Sequence, residues 1–499
     1  MKRLLRAGTW VVAGTLLGKL AGFLREVVLA SRVGVGAEAD LAVVLFTLPD
    51  MVLNLLVGGA FGAALVPEFA QLGATPARRL MFRSSLVVVV AAALMGAVLV
   101  VFASPLVRML GPGLSRASIG RATTHARLLL ATIPLSAVTA VMAAYLTAGR
   151  RFAVPAMGTL AYNLVVIAGV AMVAAPLDGI TIGIIGGSLL RLTLHAWRTG
   201  GTRLEAVVAS QHSHPRDVVV RYLEALAASS VLMAYPIVAR TFASLGDPGS
   251  VAVVNYAGKL VELPNGIVLG VFAVVLFPTL SSAFAEGRSS DAERASRRAI
   301  RMVIWLAFPL AVGVALFARD FATVALMRGK LDVDAANRVG SATAWWALSL
   351  PAQAASSILV AMLNARKDTR TALLTSLLGL AALVAVCVAT RGRFGVHGVV
   401  AGMVLAYWAV LIAQTWTLKR RGLDLFEAGL VRLAFGTSAM AVAGFAPFVL
   451  VARAVPSLNA THRLALAGLG GMLALAACSR ILGDDRARLL DVVWKRRST

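Results

Sequence analysis

The sequence predicts an all-α polytopic membrane protein with about 14 transmembrane helices, because apolar runs long enough to cross about 30 Å of hydrocarbon recur along it. Hydrophobic residues make up 59% of the 499-residue chain, charged residues make up 14%, and the mean hydropathy is +0.83. Soluble domains carry about 25% charged residues. The apolar runs are centred in 8–31, 41–70, 84–107, 128–148, 154–175, 179–197, 218–243, 251–284, 301–318, 341–364, 369–389, 396–418, 428–452 and 464–481.

The basic residues predict the orientation of these spans. An even number of spans places both termini on the same side of the membrane. Loops on the side of the N-terminus hold the larger share of the 48 Lys and Arg residues, among them Arg78, Arg79, Arg150 and Arg151. Because cytoplasmic loops are enriched in Lys and Arg, we expect both termini to be cytoplasmic.

The net charge of +25 does not by itself indicate nucleic-acid binding. Nucleic-acid-binding proteins cluster basic residues on a folded soluble face, and no soluble stretch of adequate length occurs here. Cys387 and Cys478 lie inside apolar runs without the spacing of a metal or redox pair, so we interpret them as packing residues. No catalytic, metal-binding or nucleotide-binding motif occurs, which predicts no enzyme, no cofactor, no metal and no nucleic-acid partner.

Two pairs of segments indicate an internal repeat. The stretch "LPDMVLNLLVGGAFGAALVPEF" from Leu48 is similar to "LPNGIVLGVFAVVLFPTL" from Leu263, and "LTAGRRFAVPA" from Leu146 is similar to "LNARKDTRTAL" from Leu363. The two offsets are nearly equal, so we predict two duplicated six-helix lobes, as in transporters with parallel repeats. The predicted domains are 1–200 (spans 1–6), 201–421 (spans 7–12) and 422–499, a C-terminal helix pair with a basic tail.

Five charged residues lie inside or beside the predicted spans: Lys19, Arg25, Asp40, Lys259 and Glu262. A charge at mid-bilayer costs roughly 2.5–3.5 kcal/mol on insertion scales, so such side chains normally face a polar interior. The surplus of cations favours a cavity between the lobes that binds an anion, for which a phosphate or diphosphate is the natural candidate. The alternative is that the charges pair, Lys19 with Glu262 or Lys259 with Asp40, and only hold the lobes together.

Three blocks of the sequence, in their order and spacing, resemble one known family. They are "GKLAGFLREVVLASRVGVGAEADLAVVLFTLPDMVLNLLVGGAFGAALVPEF", "VVNYAGKLVELPNGIVLGVFAVVLFPTLS" and "ALMRGKLDVDAANRVGSATAWWALSLPAQAASSILVAMLNARKDTRTAL". Together they are similar to the opening segment, span 8 and spans 9–11 of the MurJ/MviN family of lipid II flippases. This family belongs to the multidrug/oligosaccharidyl-lipid/polysaccharide exporter superfamily.

The resemblance implies fourteen spans, two six-helix lobes around a cationic cavity, and a last helix pair that forms a groove for a polyprenyl tail. It implies a multi-pass, monomeric protein of the bacterial cytoplasmic (inner) membrane that takes part in peptidoglycan biosynthesis. Its substrate would be a polyprenyl-diphosphate-linked glycan, lipid II, moved from the inner to the outer leaflet by alternating access. Other implied partners are membrane lipid and cell-wall biosynthesis enzymes. The family's substrate-binding positions match Lys19, Arg25, Asp40, Lys259 and Glu262, with Lys in place of Arg at 19 and 259.

Departures from the family pattern keep other functions open. Ala239 stands where sodium-binding relatives carry Asp, and Leu53 and Asn54 stand where the family usually has an Arg pair. These differences leave a flippase for another polyprenyl-linked polysaccharide, such as an exopolysaccharide, as one alternative. A membrane scaffold that does not transport, and instead holds biosynthetic enzymes together, is the alternative from a different class.

Overall fold

The computed structural model describes residues 2–55, 61–200, 230–231, 233–266, 289–366, 368–390, 393–423, 425, 428–455 and 457–479. These residues are almost entirely helical, and no β-strand occurs among them. The chain forms two compact units: unit 1 comprises Met1–Asn255 with Arg328–Asp332, and unit 2 comprises Tyr256–Met327 with Val333–Thr499.

Unit 1 contains ten helices within its described residues and the start of an eleventh. They are α1 (Lys2–Val33), α2 (Ala37–Leu55), α3 (Phe61–Gln71), α4 (Ala74–Val101), α5 (Ala103–Leu110), α6 (Arg116–Leu130), α7 (Ile133–Ala148), α8 (Ala153–Met172), α9 (Pro176–Thr199), α10 (233–243) and the first turns of α11 (250–266).

The remainder of α11 belongs to unit 2. The helices that follow it in unit 2 are α12 (Ser289–Leu316), α13 (Ala318–Leu326), α14 (Val333–Ala347), α15 (Leu350–Ala365), α16 (Thr369–Thr390), α17 (Gly395–Arg420), α18 (Ala428–Ala454) and α19 (Ala460–Ser479).

Local chemistry explains several helix boundaries. Ser115 caps α6, because its hydroxyl accepts the backbone N–H of Ser118 at 3.2 Å. Both α7 and α9 carry a proline in their first turn, where the missing N–H costs nothing. Asp368 precedes α16, and its carboxylate accepts the backbone N–H of Thr371 at 3.2 Å.

Ten segments of the described residues are long and apolar enough to cross a membrane. They correspond to ten of the fourteen predicted spans, which confirms the all-α polytopic class. The other four predicted spans are 8–31, 41–70, 218–243 and 251–284. In the second of these, α2 carries three acidic residues, and the last two lie partly outside the described residues.

The helix lengths repeat in the order that the internal repeat predicts. Helices α4 to α9 have 28, 8, 15, 16, 20 and 24 residues. Helices α12 to α17 have 28, 9, 15, 16, 22 and 26 residues. Even the junctions correspond, since Phe102 before α5 and Phe317 before α13 share nearly the same backbone angles.

Close helix packing in unit 1 depends on glycine. At the crossing of α8 and α9, a Cβ on Gly169 would lie 2.4 Å from the carbonyl oxygen of Gly179, and a Cβ on Gly183 would lie 2.8 Å from the Cα of Val166. Small residues allow helix backbones in membranes to approach this closely. The α8–α9 pair therefore forms a tightly packed support for the helices beside it.

Unit 2 has an apolar core with two parts. The larger part is formed by side chains of α12, α15 and α17, with Leu430 and Leu433 of α18. The smaller part surrounds Phe445 of α18, which contacts Phe317 at a ring-centroid distance of 6.1 Å. The two cysteines are buried, with free thiols, as expected of packing residues.

Candidate functional site

Helix α1 carries two of the predicted site residues, and glycines set its packing against α8. A Cβ on Gly18 would lie 3.5 Å from Thr159 Cγ2, and one on Gly22 would lie 4.0 Å from Asn163 Nδ2. The glycines of "GTLLGKLAG" therefore face α8, at distances that a methyl group would also fit. Lys19 lies on the exposed surface of α1, and its ammonium has no hydrogen-bond or ion-pair partner among the described residues.

Arg25 is the centre of a buried ion-pair cluster in unit 1. Its residue exposure is 6%, and its Nη2 lies 3.0 Å from Glu26 Oε1 and 3.2 Å from Asp50 Oδ2. The guanidinium also lies over the ring of Phe46, 4.5 Å from the centroid. Glu26 accepts a second hydrogen bond from Asn255 Nδ2 at 2.9 Å. One cation therefore has two carboxylate partners, so Arg25 contributes no surplus positive charge in this state.

Asp40 lies at the start of α2, and its carboxylate binds the N-terminal end of α11. Oδ2 accepts the backbone N–H of Gly249 at 2.7 Å, and Oδ1 accepts that of Ala252 at 2.8 Å. The first N–H groups of a helix have no acceptor within the helix, and a buried carboxylate there also interacts favourably with the helix dipole. With an exposure of 3%, Asp40 has the geometry of a helix cap supplied by another helix.

Backbone contacts surround this cap within unit 1. The N–H of Lys330 donates to the carbonyl of Ser31 at 2.8 Å. Gly34 and Gly329 make this approach possible: both have positive φ, at 65° and 59°, and a Cβ on either would lie within 2.6 Å of a carbonyl oxygen.

Arg240 of α10 occupies the position that the internal repeat pairs with Arg25, 215 residues earlier. Its Nη1 donates to Thr47 Oγ1 of α2 at 2.9 Å. Both arginines therefore contact α2, which contains Pro49 in its interior. The preceding Ala239 is fully buried.

In unit 2, Lys259 and Glu262 form an ion pair one turn apart on α11. Lys259 Nζ lies 2.9 Å from Glu262 Oε2, and the side chains are 27% and 65% exposed. The adjacent Gly258 allows Trp346 of α14 to pack against α11, since a Cβ there would lie 3.1 Å from the indole. Further along α11, Asn265 donates to Gln353 of α15 at 2.9 Å.

The prediction that these residues line a cavity between two lobes concerns the arrangement of the two units and stays a prediction. Within each unit, Arg25 and Asp40 lie on neighbouring helices of unit 1, and Lys259 lies beside Glu262 in unit 2. Chemically, these guanidinium and ammonium groups are donors suited to phosphate oxygens.

Sequence reasoning missed three polar side chains of unit 1: Asp50, which is partly buried, and Arg191 and His195, which are buried. Arg191 and His195 lie on α9 with exposures of 7% and 0%. The signal for Asp50 and Arg191 was present, because each is a charge within an apolar run, the same pattern that singled out Lys19. His195 had no such signal, since a lone histidine in an apolar helix is common in packed cores.

Two apolar cavities occur among the described residues of unit 2. One, of about 270 Å³, lies between α12, α13, α18 and α19 and includes Phe321, Phe445 and Leu475 in its lining. The other, of about 410 Å³, lies between α12, α15, α17 and α18 and includes Phe308, Trp408 and Phe435. Both are lined by the last helices of the chain, where the resemblance implies a groove for a polyprenyl tail. No cluster of metal-ligand residues occurs in the part of the chain that the structure describes.

Comparison with known proteins decides the family. The family model described as lipid II flippase MurJ matches residues 29–461, which is most of the chain. The chain belongs to the MurJ family of lipid II flippases. The sequence resemblance to the MurJ/MviN family is therefore confirmed, and the family is one of transporters and not of enzymes.

Relatives and solved structures agree with this membership. A probable lipid II flippase MurJ of Rhizobium tropici is 26% identical over 443 residues, which cover 84% of this chain and 82% of the relative. The lipid II flippase MurJ of Burkholderia cenocepacia is 26% identical over 386 residues, with 74% of each chain covered. A structure of lipid II flippase MurJ in an inward closed conformation superposes with a TM-score of 0.79, covering 95% of this chain and 99% of that chain at 17% identity.

A multidrug transporter of the MATE family in an inward-facing conformation also shares the fold. Its TM-score is 0.68 at 17% identity, and the match covers 82% of this chain and 96% of that chain. The MurJ family places the chain among multi-pass proteins of the bacterial inner membrane, in agreement with the ten apolar segments found among the residues that the structure describes.

Proposed function

We propose that this chain moves lipid II, a polyprenyl-diphosphate-linked glycan, from the inner to the outer leaflet of the cytoplasmic membrane by alternating access. The observation that carries the proposal is the match of residues 29–461 to the lipid II flippase family. The protein would act as a monomer, with both termini in the cytoplasm, and would have no catalytic activity. Cell-wall biosynthesis enzymes and membrane lipid would be its other partners.

The contacts of Arg25 support a role in binding the diphosphate. Arg25 is 7% exposed at its side chain, whereas its partner Asp50 is 35% exposed. A phosphate oxygen that takes the place of the Asp50 carboxylate would keep the guanidinium paired, and so would avoid the cost of leaving a buried charge alone. Substrate binding at Arg25 is then an exchange of one anion for another.

Lys259 offers a similar exchange in unit 2. Its partner Glu262 is 65% exposed, so the carboxylate can leave for water at little cost, because exposed ion pairs contribute only about 0–1 kcal/mol. Lys19 has no partner among the described residues and would bind phosphate without displacing an acid. Asp40 would serve the same function indirectly, by fixing the N-terminal end of α11, the helix that carries Lys259 and Glu262.

The membrane potential can drive this transport. An anionic headgroup cannot enter hydrocarbon without a large cost, so a polar path is required. An interior-negative potential favours outward movement of each negative charge by roughly 2.3 kcal/mol per 100 mV. The potential would therefore favour outward movement of a diphosphate without ATP.

The test is rescue of a bacterial strain depleted of its own lipid II flippase, followed by transport of fluorescent lipid II in proteoliposomes. We expect the wild-type chain to restore growth and Arg25→Gln to lower transport at least tenfold. Arg79→Gln is the matched control, since Arg79 is exposed on α4. Absence of rescue with normal membrane levels, together with transport of a different polyprenyl-linked glycan, would refute the lipid II assignment in favour of the exopolysaccharide alternative. Absence of all transport would favour the scaffold.

A further inference from the structure

Arg191 is a buried cation in a membrane-spanning helix without a counter-ion in the described structure. It lies on α9, within a segment long and apolar enough to cross the membrane, and it is 93% removed from solvent. Its Nε has no hydrogen-bond partner, and no ion pair to the residue occurs among the described residues. Arginine stays protonated in proteins, and buried charges are normally paired. The buried Nε–H of Arg191 therefore requires an acceptor that the described residues do not supply.

The side chains around Arg191 supply hydrogen-bonding atoms without supplying a negative charge. Tyr162 of α8 is 4% exposed, and its hydroxyl has no partner among the described residues. His195 is fully buried, and its Nδ1 donates to the carbonyl of Arg191 at 2.7 Å, because a carbonyl can only accept. Neither residue neutralises the guanidinium.

Glycines make room for these side chains between α8 and α9. A Cβ on Gly158 would lie 2.4 Å from His195 Cε1 and 3.3 Å from Arg191 Cγ. A Cβ on Gly187 would lie 2.9 Å from Tyr162 Cδ2. The polar side chains therefore pack closely in the interface between α8 and α9. A glycan diphosphate is too large to reach this interface without separating the two helices.

We propose that Arg191 and the hydroxyl of Tyr162 bind a small inorganic anion, of the size of chloride, in the core of unit 1. The guanidinium supplies the charge and several donors, and the phenol supplies one more. The anion is assigned to Arg191 and not to Arg25, because Arg25 already pairs with two carboxylates. The anion would neutralise a charge that otherwise destabilises the α8–α9 interface.

Thermal unfolding of the full chain in detergent tests this proposal. Chloride is titrated against gluconate at constant ionic strength and pH, with inorganic phosphate and inorganic diphosphate in parallel samples. A ligand that binds the folded state alone stabilises it by RT ln(1 + [L]/Kd), so stability keeps rising with the logarithm of the ligand concentration above Kd. We expect Tm of the wild-type chain to rise with chloride in this logarithmic manner. The rise should be absent in Arg191→Gln and present in Arg198→Gln, an exposed arginine on the same helix.

Two further measurements keep the test independent of the folding of Arg191→Gln. Tyr162→Phe should shift the chloride titration to higher concentration by several fold without abolishing it. Crystals grown in bromide should show anomalous scattering next to the Arg191 guanidinium. A chloride effect of equal size in wild type and Arg191→Gln, or the lack of bromide at Arg191, would overturn the proposal. Protection by diphosphate alone would also overturn it, because Arg191 would then bind the substrate headgroup.

Discussion

The carboxylate of Asp40 accepts the backbone N–H of Ala252 at 2.8 Å, although 212 residues of sequence separate them. The same carboxylate accepts the N–H of Gly249 at 2.7 Å, so both oxygens are engaged at the start of α11. The sequence singled out Asp40 as a charge inside or beside a predicted span. In the structure, Asp40 caps the N-terminal end of α11, a helix far away in the sequence.

Asp40→Asn tests the contribution of this cap. The amide keeps one acceptor oxygen but loses the negative charge and the second acceptor, so one buried N–H is left without a partner. We expect the free energy of unfolding to fall by about 1 kcal/mol, and by up to about 2 kcal/mol for Asp40→Ala. Thermal unfolding in detergent measures the change.

Glu38→Gln is the matched control, in the same first turn of α2. Glu38 is half-exposed and lies 3.9 Å from an exposed arginine, Arg121, so its loss should change stability by less than about 0.5 kcal/mol. Equal effects of Asp40→Asn and Glu38→Gln would show that the cap does not stabilise the fold.

Asp50→Asn tests whether a carboxylate competes with phosphate for Arg25. The substitution removes one of the two acids paired with the guanidinium and retains the size of the side chain. If the pair contributes about 1 kcal/mol, the affinity for inorganic diphosphate should rise about fivefold. Calorimetry of the purified protein measures it, with Asp50→Glu as the control that keeps the charge. Weaker binding by Asp50→Asn would contradict an exchange of anions at Arg25.

Gly158→Ala tests the packing of α8 against α9. The added methyl would lie 2.4 Å from His195 Cε1, and His195 has no room to move because it is fully buried. Overpacking of this kind costs about 1–3 kcal/mol. Gly120→Ala on α6 is the opposite case, since nothing lies within 4 Å of its Cβ position. There we expect a gain of up to about 1 kcal/mol from helix propensity. Thermal unfolding should therefore give a lower Tm than wild type for Gly158→Ala and a higher Tm for Gly120→Ala.

Much of the fold follows from patterns of apolar residues in the sequence. Hydropathy predicts the spans because the bilayer imposes the same length on each of them. The repeat between "LPDMV" and "LPNGI" anticipates the matching lengths of α4–α9 and α12–α17. The breaks between α4 and α5, and between α6 and α7, were not predicted, because the apolar runs continue across them and only backbone geometry marks the turn.

The charged residues of the candidate site could be predicted from the sequence, but the groups that they contact could not. Hydropathy marks Arg25 and Asp40 because a charge in an apolar run is costly. Nothing in the sequence indicates that Asp40 accepts backbone N–H groups, since every residue carries an N–H. The pairing of Glu26 with Asn255 was equally hidden, because it depends on a contact across 229 residues.

The ionised carboxyl of Asp368 should make the stability of the fold depend on pH. Substitution of Asp368 should remove this dependence. Partial burial raises the pKa of this carboxyl, but hydrogen bonds from Thr371 and the ion pair with Arg421 outweigh it, and the pKa lies below its ordinary value of 3.8. An acid with a lowered pKa in the folded state stabilises the fold above its unfolded pKa, and this contribution disappears as the pH falls through the folded pKa. We expect Asp368→Asn to be less stable than wild type at pH 7 by about 1 kcal/mol, because the amide can still cap α16 but loses the charge that pairs with Arg421. The gap should begin to narrow below about pH 4, where the carboxyl of the unfolded wild-type chain takes up a proton, and should close only below the lower pKa of the folded state. Thermal unfolding between pH 7 and pH 3 measures the difference, and a constant gap across this range would contradict the assignment to ionised Asp368.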